Sequence, residues 1–165
     1  MHTPLNKLLL KTILTSFIYI ILASSGHAKT APAFTLPTAN KSISLSQFQG
    51  KVVYLDFWAS WCTSCRKSFP WMNKMQERYG KKGLVIVAVN LDKDKAQLDK
   101  FLKKYPTNFI IAEDPSGSIA ARYKVPGMPS AYLISRKGEI TSYHIGFREK
   151  DKAKLEEKIK SLLSL

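Results

Sequence analysis

Cysteine and histidine are scarce in this chain of 165 residues. It has only two cysteines, Cys62 and Cys65, and past residue 28 its only histidine is His144. Two cysteines cannot build the disulfide framework that holds many small secreted domains together. A zinc site normally takes four cysteine or histidine ligands. A structural disulfide scaffold is therefore excluded, and we expect no metal site.

Acidic residues are also few: the chain has 26 Lys and Arg against 12 Asp and Glu, a formal net charge of +14. Residues 1–28 contain Lys7 and Lys11 and no acid, so the remainder carries 24 basic and 12 acidic residues. Such an excess favours contact with anionic surfaces such as lipid headgroups or acidic proteins, although a solvated lysine-rich face is the simpler interpretation. No aromatic and basic platform is evident, so we expect no nucleic-acid partner.

The first 28 residues have the pattern of a secretory signal peptide. A basic start is followed by the apolar stretch 13–23 and by small residues around His27, which predicts cleavage after Ala28. The stretch is shorter than the roughly 20 apolar residues that span a bilayer, but an uncleaved N-terminal anchor is the alternative. We therefore predict a signal peptide or anchor over 1–28 and one exported, periplasmic domain over 29–165. A Cys-x-x-Cys pair in an exported chain indicates redox chemistry.

Cys62 and Cys65 follow the run Val52–Trp58, which is short, apolar and rich in β-branched and aromatic residues, as in a buried strand. Good helix formers come next, so the cysteines lie where a strand passes into a helix. Free N–H groups and the helix dipole favour negative charge there, and such sites lower a thiol pKa to roughly 3.5–7.5. The pattern predicts a site of dithiol–disulfide exchange.

Asp56 interrupts the apolar run and should be at least partly buried. Burial disfavours a charged carboxylate, so its pKa should be raised. One interpretation is that Asp56 exchanges a proton with Cys65, because perturbed acids cluster at reactive sites. The other is an ordinary hydrogen-bonded polar residue at the strand edge.

The rest of the chain alternates strands and helices and then gives an antiparallel pair, which predicts an α/β fold with a mixed sheet and helices on both faces. Lys29–Pro37 is interpreted as a polar lead-in, and His144 is placed on the surface of the last strand. The predicted elements are a hairpin (34–36 with 43–45), strands (84–91, 109–112), helices (94–105, 118–123, 149–163) and a second hairpin (up to 134, then 140–147).

The turn Val125–Pro129 places two prolines around a glycine just before an apolar strand. Pro129 is a candidate cis proline, because cis peptide bonds are almost confined to X–Pro. An ordinary trans turn is the alternative.

The run Val53–Lys67, with its Trp-Cys-x-x-Cys motif, resembles the thioredoxin superfamily. With the signal peptide, the early hairpin, the insertion Asp94–Tyr123 and the Val125–Pro129 turn, residues 33–164 are most similar to the TlpA/ResA-like exported thioredoxins. The resemblance implies a thioredoxin fold with an N-terminal β-hairpin and an inserted α-β segment. It implies no bound cofactor, since the redox group would be the Cys62–Cys65 disulfide itself.

The resemblance also assigns roles to residues. Cys62 would be the exposed attacking thiolate and Cys65 the buried resolving thiol. Pro129 would be cis and face the dithiol. The backbone of Met128 would pair with an extended segment of a partner, and Trp61 would shield the sulfurs from water.

Two positions depart from the family pattern. Thr63-Ser64 stands between the cysteines where cytoplasmic thioredoxins have Gly-Pro, so their redox potential cannot be transferred. Ser68 occupies a position where ResA-like proteins often carry a glutamate. We hypothesise that Asp56 supplies the acid from the strand instead.

The leading functional prediction is an exported thiol–disulfide oxidoreductase that works as a reductant. Electrons would come from a membrane thiol carrier of the DsbD type, and clients would be apocytochrome c or a copper-site protein. Alternatives are an oxidising disulfide-forming protein, a copper(I) metallochaperone on the same fold, and a basic membrane-associated protein whose dithiol is incidental.

Overall fold

The computed structural model describes residues 29–164, so the predicted signal peptide or anchor lies outside the described residues. The strands are β1 (Lys29–Thr30), β2 (Thr35–Pro37), β3 (Ser42–Ser44), β4 (Val52–Trp58), β5 (Leu84–Asn90), β6 (Ile110–Glu113), β7 (Ser130–Ile134) and β8 (Glu139–Ile145). The α-helices are α1 (Thr63–Tyr79), α2 (Lys95–Lys104), α3 (Ser118–Arg122) and α4 (Lys152–Leu163).

A mixed sheet of strand order β1-β8-β7-β4-β5-β6 forms the centre of the molecule. β4 runs parallel to β5 and antiparallel to β7, and every residue of β4 is buried. β2 and β3 form the separate hairpin that the sequence predicts. The predicted α/β thioredoxin fold, a mixed sheet flanked by helices, is confirmed.

The central sheet has two faces, because successive side chains of a strand point in opposite directions. We call the face that packs against α1, α2 and α4 the dithiol face; it receives Tyr54 and Trp58 of β4 together with both cysteines. The opposite face, which we call the hairpin face, receives Leu55 and packs against the β2–β3 hairpin and α3. Each face buries its own apolar cluster, so the helices cover both sides of the sheet as predicted.

The N-terminal lead-in is not wholly irregular, which corrects the sequence interpretation. Lys29 and Thr30 form β1 and pair with Ile140 and Glu139 of β8 at the sheet edge. The amide of Ala31 extends this pairing by donating to the carbonyl of Gly138 at 2.9 Å. A two-residue strand has no periodicity to detect, and its pairing depends on residues more than a hundred positions away.

Helix boundaries follow from local chemistry. The carboxylate of Asp94 caps α2 by accepting the Ala96 amide at 2.9 Å. α1 is followed by a 3₁₀ turn that ends at Gly83, whose φ of 106° is a conformation that only glycine adopts readily. These signals explain why the predicted helices and the observed ones agree to within a few residues.

Candidate active site

Cys62 caps the N-terminus of α1. Its Sγ accepts a hydrogen bond from the backbone N–H of Cys65 at 3.3 Å, and the Ser64 hydroxyl lies 3.5 Å from the same sulfur. Cys62 and Cys65 form a disulfide, with their Cα atoms 5.3 Å apart. The pair therefore lies where the strand-to-helix pattern predicts, at a helix end that favours a negatively charged sulfur once the disulfide is reduced.

The two cysteines differ in exposure in the predicted order, but Cys62 is more enclosed than predicted. Cys62 is 6% exposed and Cys65 is fully buried. Both belong to the apolar cluster of the dithiol face, which includes Trp58 and Phe69. Packing against these rings leaves only the edge of Cys62 open, so a client disulfide must approach it from one side.

A polar residue that the sequence analysis missed fixes the loop before the cysteines. The buried carboxylate of Asp92 accepts the backbone N–H of Ser60 at 3.0 and 3.2 Å, and the side-chain amide of Asn90 at 2.8 Å. Asn90 is the last residue of β5, a buried strand parallel to β4, and Asp92 follows it closely. Polar residues at the carboxyl end of a buried strand were the signal that could have identified this network. This network holds the start of the Trp61–Cys65 motif against β5.

The Met128–Pro129 peptide bond is cis, as predicted. Ser130, the next residue, pairs with Phe57 of β4, which places Pro129 beside the end of β4 where the cysteine loop begins. Met128 is half-buried and packs against the cluster that contains both cysteines. The sheet register thus brings two segments some 65 positions apart to one site, while the orientation of Pro129 toward the sulfurs stays a prediction.

Trp61 is 63% exposed. An indole that open to solvent is available to a partner molecule, and large exposed aromatic side chains are common in binding surfaces. Its predicted role as a shield of the sulfurs stays a prediction.

Asp56 is buried on the dithiol face, as the sequence predicts. The residue is 1% exposed, and its Oδ2 has no hydrogen-bond partner within residues 29–164. Its cross-strand neighbours are Ala88 and Ala131, whose methyl side chains cannot form hydrogen bonds with the carboxyl. Burial raises the pKa of Asp56 well above its ordinary value. The raised pKa favours the protonated carboxyl, on the sheet face that also receives Cys65.

His144 does not lie on the outer surface of β8, which corrects the prediction. It pairs with Ala131 and points to the dithiol face, where its Nε2 lies 3.1 Å from the Tyr54 hydroxyl. Burial, with a smaller contribution from the charge of Lys158, lowers the pKa of His144 to about 4. The prediction failed because the alternation of β8 is reversed: the apolar Tyr143 and Ile145 are the exposed residues.

Ser68 is buried in the second turn of α1, and its hydroxyl donates to the carbonyl of Cys65 at 2.8 Å. At the position where ResA-like proteins often have an acid, this chain thus has a side chain that forms a hydrogen bond with the helix backbone. The observation is consistent with an acid supplied from elsewhere, and the role of Asp56 stays a hypothesis.

Among residues 29–164, no three His, Cys, Asp or Glu side chains are grouped so as to hold a metal ion. In the same part of the chain, none of the helices is both long and apolar enough to cross a bilayer.

A disulfide of Cys-x-x-Cys type at a helix N-terminus, beside a cis proline on a mixed sheet, defines the class of thioredoxin-fold thiol–disulfide oxidoreductases. Solved structures agree. A Chlorobium tepidum protein assigned as thiol:disulfide interchange protein DsbE is 48% identical and superposes with a TM-score of 0.81, over 82% of this chain and 96% of that chain. StoA from Bacillus subtilis is 27% identical with a TM-score of 0.65, over 77% and 96% of the two chains.

The Redoxin family model matches residues 27–159, and the chain belongs to this family. The thiol-disulfide oxidoreductase ResA of Bacillus thuringiensis subsp. konkukian (strain 97-27) is 36% identical over 135 residues, which cover 81% of this chain and 77% of that relative. ResA of Bacillus subtilis (strain 168) is 35% identical over 124 residues, or 74% and 69% of the two chains. The chain is thus a thiol–disulfide oxidoreductase similar to ResA and DsbE.

Proposed function

We propose that this protein is an exported reductant that transfers two electrons from the Cys62–Cys65 dithiol to disulfides of client proteins. The observation that carries the proposal is the position of Cys62 as the cap of α1, with its sulfur accepting a backbone N–H and its partner Cys65 fully buried behind it. One sulfur can start the exchange and the other can finish it.

In the first step the Cys62 thiolate attacks one sulfur of the client disulfide. A Cys62–client disulfide forms, the client S–S bond breaks, and the second client sulfur leaves as a thiolate. The N–H of Cys65 and the dipole of α1 favour the thiolate that attacks. Within residues 29–164, Met128 takes part in none of the backbone hydrogen bonds that connect loops and turns, so it can pair with an extended client segment.

In the second step the Cys65 thiol gives up its proton and its sulfur attacks the Cys62 sulfur. The Cys62–Cys65 disulfide forms and the client leaves with both cysteines reduced. Asp56 supports this step as the proton acceptor: it is buried on the same face of the sheet and its pKa is raised by burial. A carboxyl with a raised pKa exchanges protons with a thiol more readily than one whose pKa has its ordinary value.

The reducing direction, the electron source and the clients are inferred from the resemblance to the TlpA/ResA-like exported thioredoxins. The ResA and DsbE relatives support thiol–disulfide exchange as the reaction. Electrons would come from a membrane thiol carrier of the DsbD type, and clients would be the haem-binding cysteines of apocytochrome c or the cysteines of a copper-site protein. The oxidising direction would need a reduced form that is much more strongly stabilised.

We also propose that residues 1–28 direct export to the periplasm, either as a signal peptide cleaved after Ala28 or as an anchor. The excess of basic residues supports an additional contact with anionic membrane surfaces.

The test is to trap the client. In Cys65→Ser the mixed disulfide through Cys62 forms but cannot resolve, so client proteins should remain attached in periplasmic extracts until a reductant is added. Cys62→Ser and the Cys62→Ser, Cys65→Ser double variant are the controls and should retain none. Equal recovery from all three variants, or no recovery from Cys65→Ser, would contradict the proposal.

A further inference from the structure

A surface groove opens on the hairpin face, which is the side of the sheet opposite to the dithiol face. It has a volume of about 490 Å³, and Tyr123, Tyr132 and Tyr143 line it. Tyr132 and Tyr143 stack with ring centroids 5.9 Å apart, and Tyr123 meets Tyr132 edge-on at 5.2 Å. The hydroxyls of Tyr123 and Tyr132 donate to the carbonyls of Pro32 and Tyr123. Because these hydroxyls are already satisfied, the rings offer an apolar floor.

The rim of the groove is basic. Lys29, Arg122 and Lys124 line it, and none of the lining residues is acidic. Within the described part of the chain, none of these three side chains takes part in an ion pair. Their charges are therefore available to carboxylates of a bound partner.

Lys124 holds an unfavourable backbone conformation at this rim. It follows the C-terminus of α3 with φ of 55°, in the left-handed region, at a position where helices usually place glycine. Glycine would satisfy the fold with less strain, so the fold itself does not require the lysine side chain. Strained non-glycine residues are concentrated at functional sites.

The groove reaches the neighbourhood of the cis-proline turn. Pro126, in the turn that leads to the cis Pro129, is one of its lining residues. Ile145, another lining residue, pairs with Ser130, the residue after Pro129. A client segment that pairs with the Met128 backbone would thus continue into the groove.

Exposed apolar side chains are concentrated next to the cysteines and in the groove. Within residues 29–164 the exposed large hydrophobic side chains are Trp61 at 63%, Tyr143 at 62% and Ile145 at 52%. Trp61 adjoins the cysteines, and the other two line the groove. Both places are thus open to a partner molecule.

We infer that this groove binds an acidic segment of the client, with a large apolar side chain on the tyrosine floor and carboxylates against Lys29, Arg122 and Lys124. The inference rests on the proposed function and adds a substrate class to it. The chain's own residues 1–28 contain two lysines and no acid, and a second copy is strongly basic, so charge disfavours both as occupants. A concave groove also suits a side chain better than a flat lipid surface.

The experiment uses the reduced Cys65→Ser protein and two peptides of equal length, each with one cysteine activated as a disulfide with thionitrobenzoate. In one peptide aspartates and a tyrosine flank the cysteine; in the other, lysines replace the aspartates. Cys62 attacks the peptide sulfur, the mixed disulfide forms, and coloured thionitrobenzoate leaves. We expect the acidic peptide to react about tenfold faster at low ionic strength, with the difference shrinking as salt is added.

Matched charge changes locate the effect. Lys124→Glu should abolish the preference for the acidic peptide. Lys81→Glu is the same change at an exposed lysine that precedes β5 and does not line the groove, so it should preserve most of the preference. Lys124→Gly should raise the melting temperature and still weaken the preference, which separates binding from folding. Equal rates for the two peptides, or equal effects of the two glutamate variants, would overturn the inference.

Two further measurements separate the possible failures. The symmetric thionitrobenzoate disulfide, which carries no peptide, should react at the same rate with the Cys65→Ser protein and with its Lys81→Glu variant. Loss of that reaction in the Cys65→Ser protein would refute the proposed function instead. Binding to vesicles rich in anionic lipid that depends on Lys124, with no discrimination between the peptides, would show that the groove serves a membrane and would overturn the inference.

Discussion

Two buried aspartates in this molecule have opposite surroundings. The carboxylate of Asp114 accepts backbone N–H groups of Ile119 and Ala120 at 2.9 and 3.0 Å, as well as the hydroxyls of Ser116 and Ser118. The carboxyl of Asp56 lies between two alanines on the dithiol face, and its Oδ2 has no partner within residues 29–164. Both are at most 2% exposed.

The difference shows that burial alone does not define the role of an acid. Asp114 satisfies free N–H groups at the start of α3 and therefore stabilises the fold. Asp56 satisfies nothing comparable, so the fold tolerates it at a cost. A costly polar group on the same sheet face as a reactive pair is the pattern expected of a functional residue.

The same substitution at the two sites should have opposite effects on stability, and the larger effect is expected at Asp114. Asp114→Asn weakens charge-assisted hydrogen bonds to buried N–H groups and should lower the free energy of unfolding by about 2–3 kcal/mol. Denaturant unfolding of the oxidised protein at pH 7 measures it. Thiol reactivity of the reduced, folded variant should stay at the wild-type level; a changed pH profile of Cys62 would show that the two regions are not independent.

Asp56→Asn should stabilise the protein, and only toward high pH. Because burial raises the pKa of Asp56, the folded state holds this proton more tightly than the unfolded chain, and stability is lost as the pH rises from about 4 through the folded pKa. Replacing the carboxyl abolishes that loss, so the free energy of unfolding should rise by about 1–2 kcal/mol at pH 9 and stay unchanged at pH 4. Unfolding of the oxidised protein at both pH values measures it.

The same variant tests the chemistry. If Asp56 accepts the proton of Cys65, resolution of the mixed disulfide should slow by about a hundredfold and its pH profile should shift. Stopped-flow kinetics with the wild type as the control would show this. Unchanged Cys65 reactivity across pH would make Asp56 a merely tolerated polar residue, and the contrast with Asp114 would lose its functional meaning.

His144 should give the smallest effect on stability, with a pH dependence opposite to that of Asp56. Burial lowers its pKa to about 4, so the folded state resists protonation and stability is lost as the pH falls from about 6.5 to about 4. His144→Gln keeps a partner for the Tyr54 hydroxyl and should remove about 1–2 kcal/mol of that loss.

Melting temperatures of the oxidised wild type and His144→Gln at pH 7 and pH 4 measure the effect. The two proteins should diverge at pH 4 only. Identical acid sensitivity of the two proteins would mean that His144 does not control stability in this pH range. Combined with Asp56→Asn, the variant should widen the pH range of maximal stability from both sides.

Much of the fold was predictable because its signals are local. The apolar run of β4, the Asp94 cap of α2 and the glycine after α1 each act within a few residues. Asp56 could be singled out for the same reason, since one acid in a fully apolar strand is conspicuous. The cis Met128–Pro129 bond needed the family resemblance as well, because sequence composition does not distinguish cis from trans.

The misses have a common cause. His144 was placed outward, and β1 and the Asp92–Ser60 contact were not foreseen. Alternation along β8 divides its residues into two sets, one for each face of the sheet. Tyr143 and Ile145 have the side chains typical of a core, but they line an open groove. A strand pattern cannot tell which set meets the core when both sets contain large side chains.

The sequence by itself determined the redox pair, the strand and helix that hold it, and the buried acid, because each depends on the chemistry of neighbouring residues. Only the tertiary structure decided which residues meet: Pro129 beside the end of β4, His144 against Tyr54, and Lys29 with Tyr143 in one groove. The reason is the register of the sheet, which joins segments distant in sequence and is set by the packing of the whole domain.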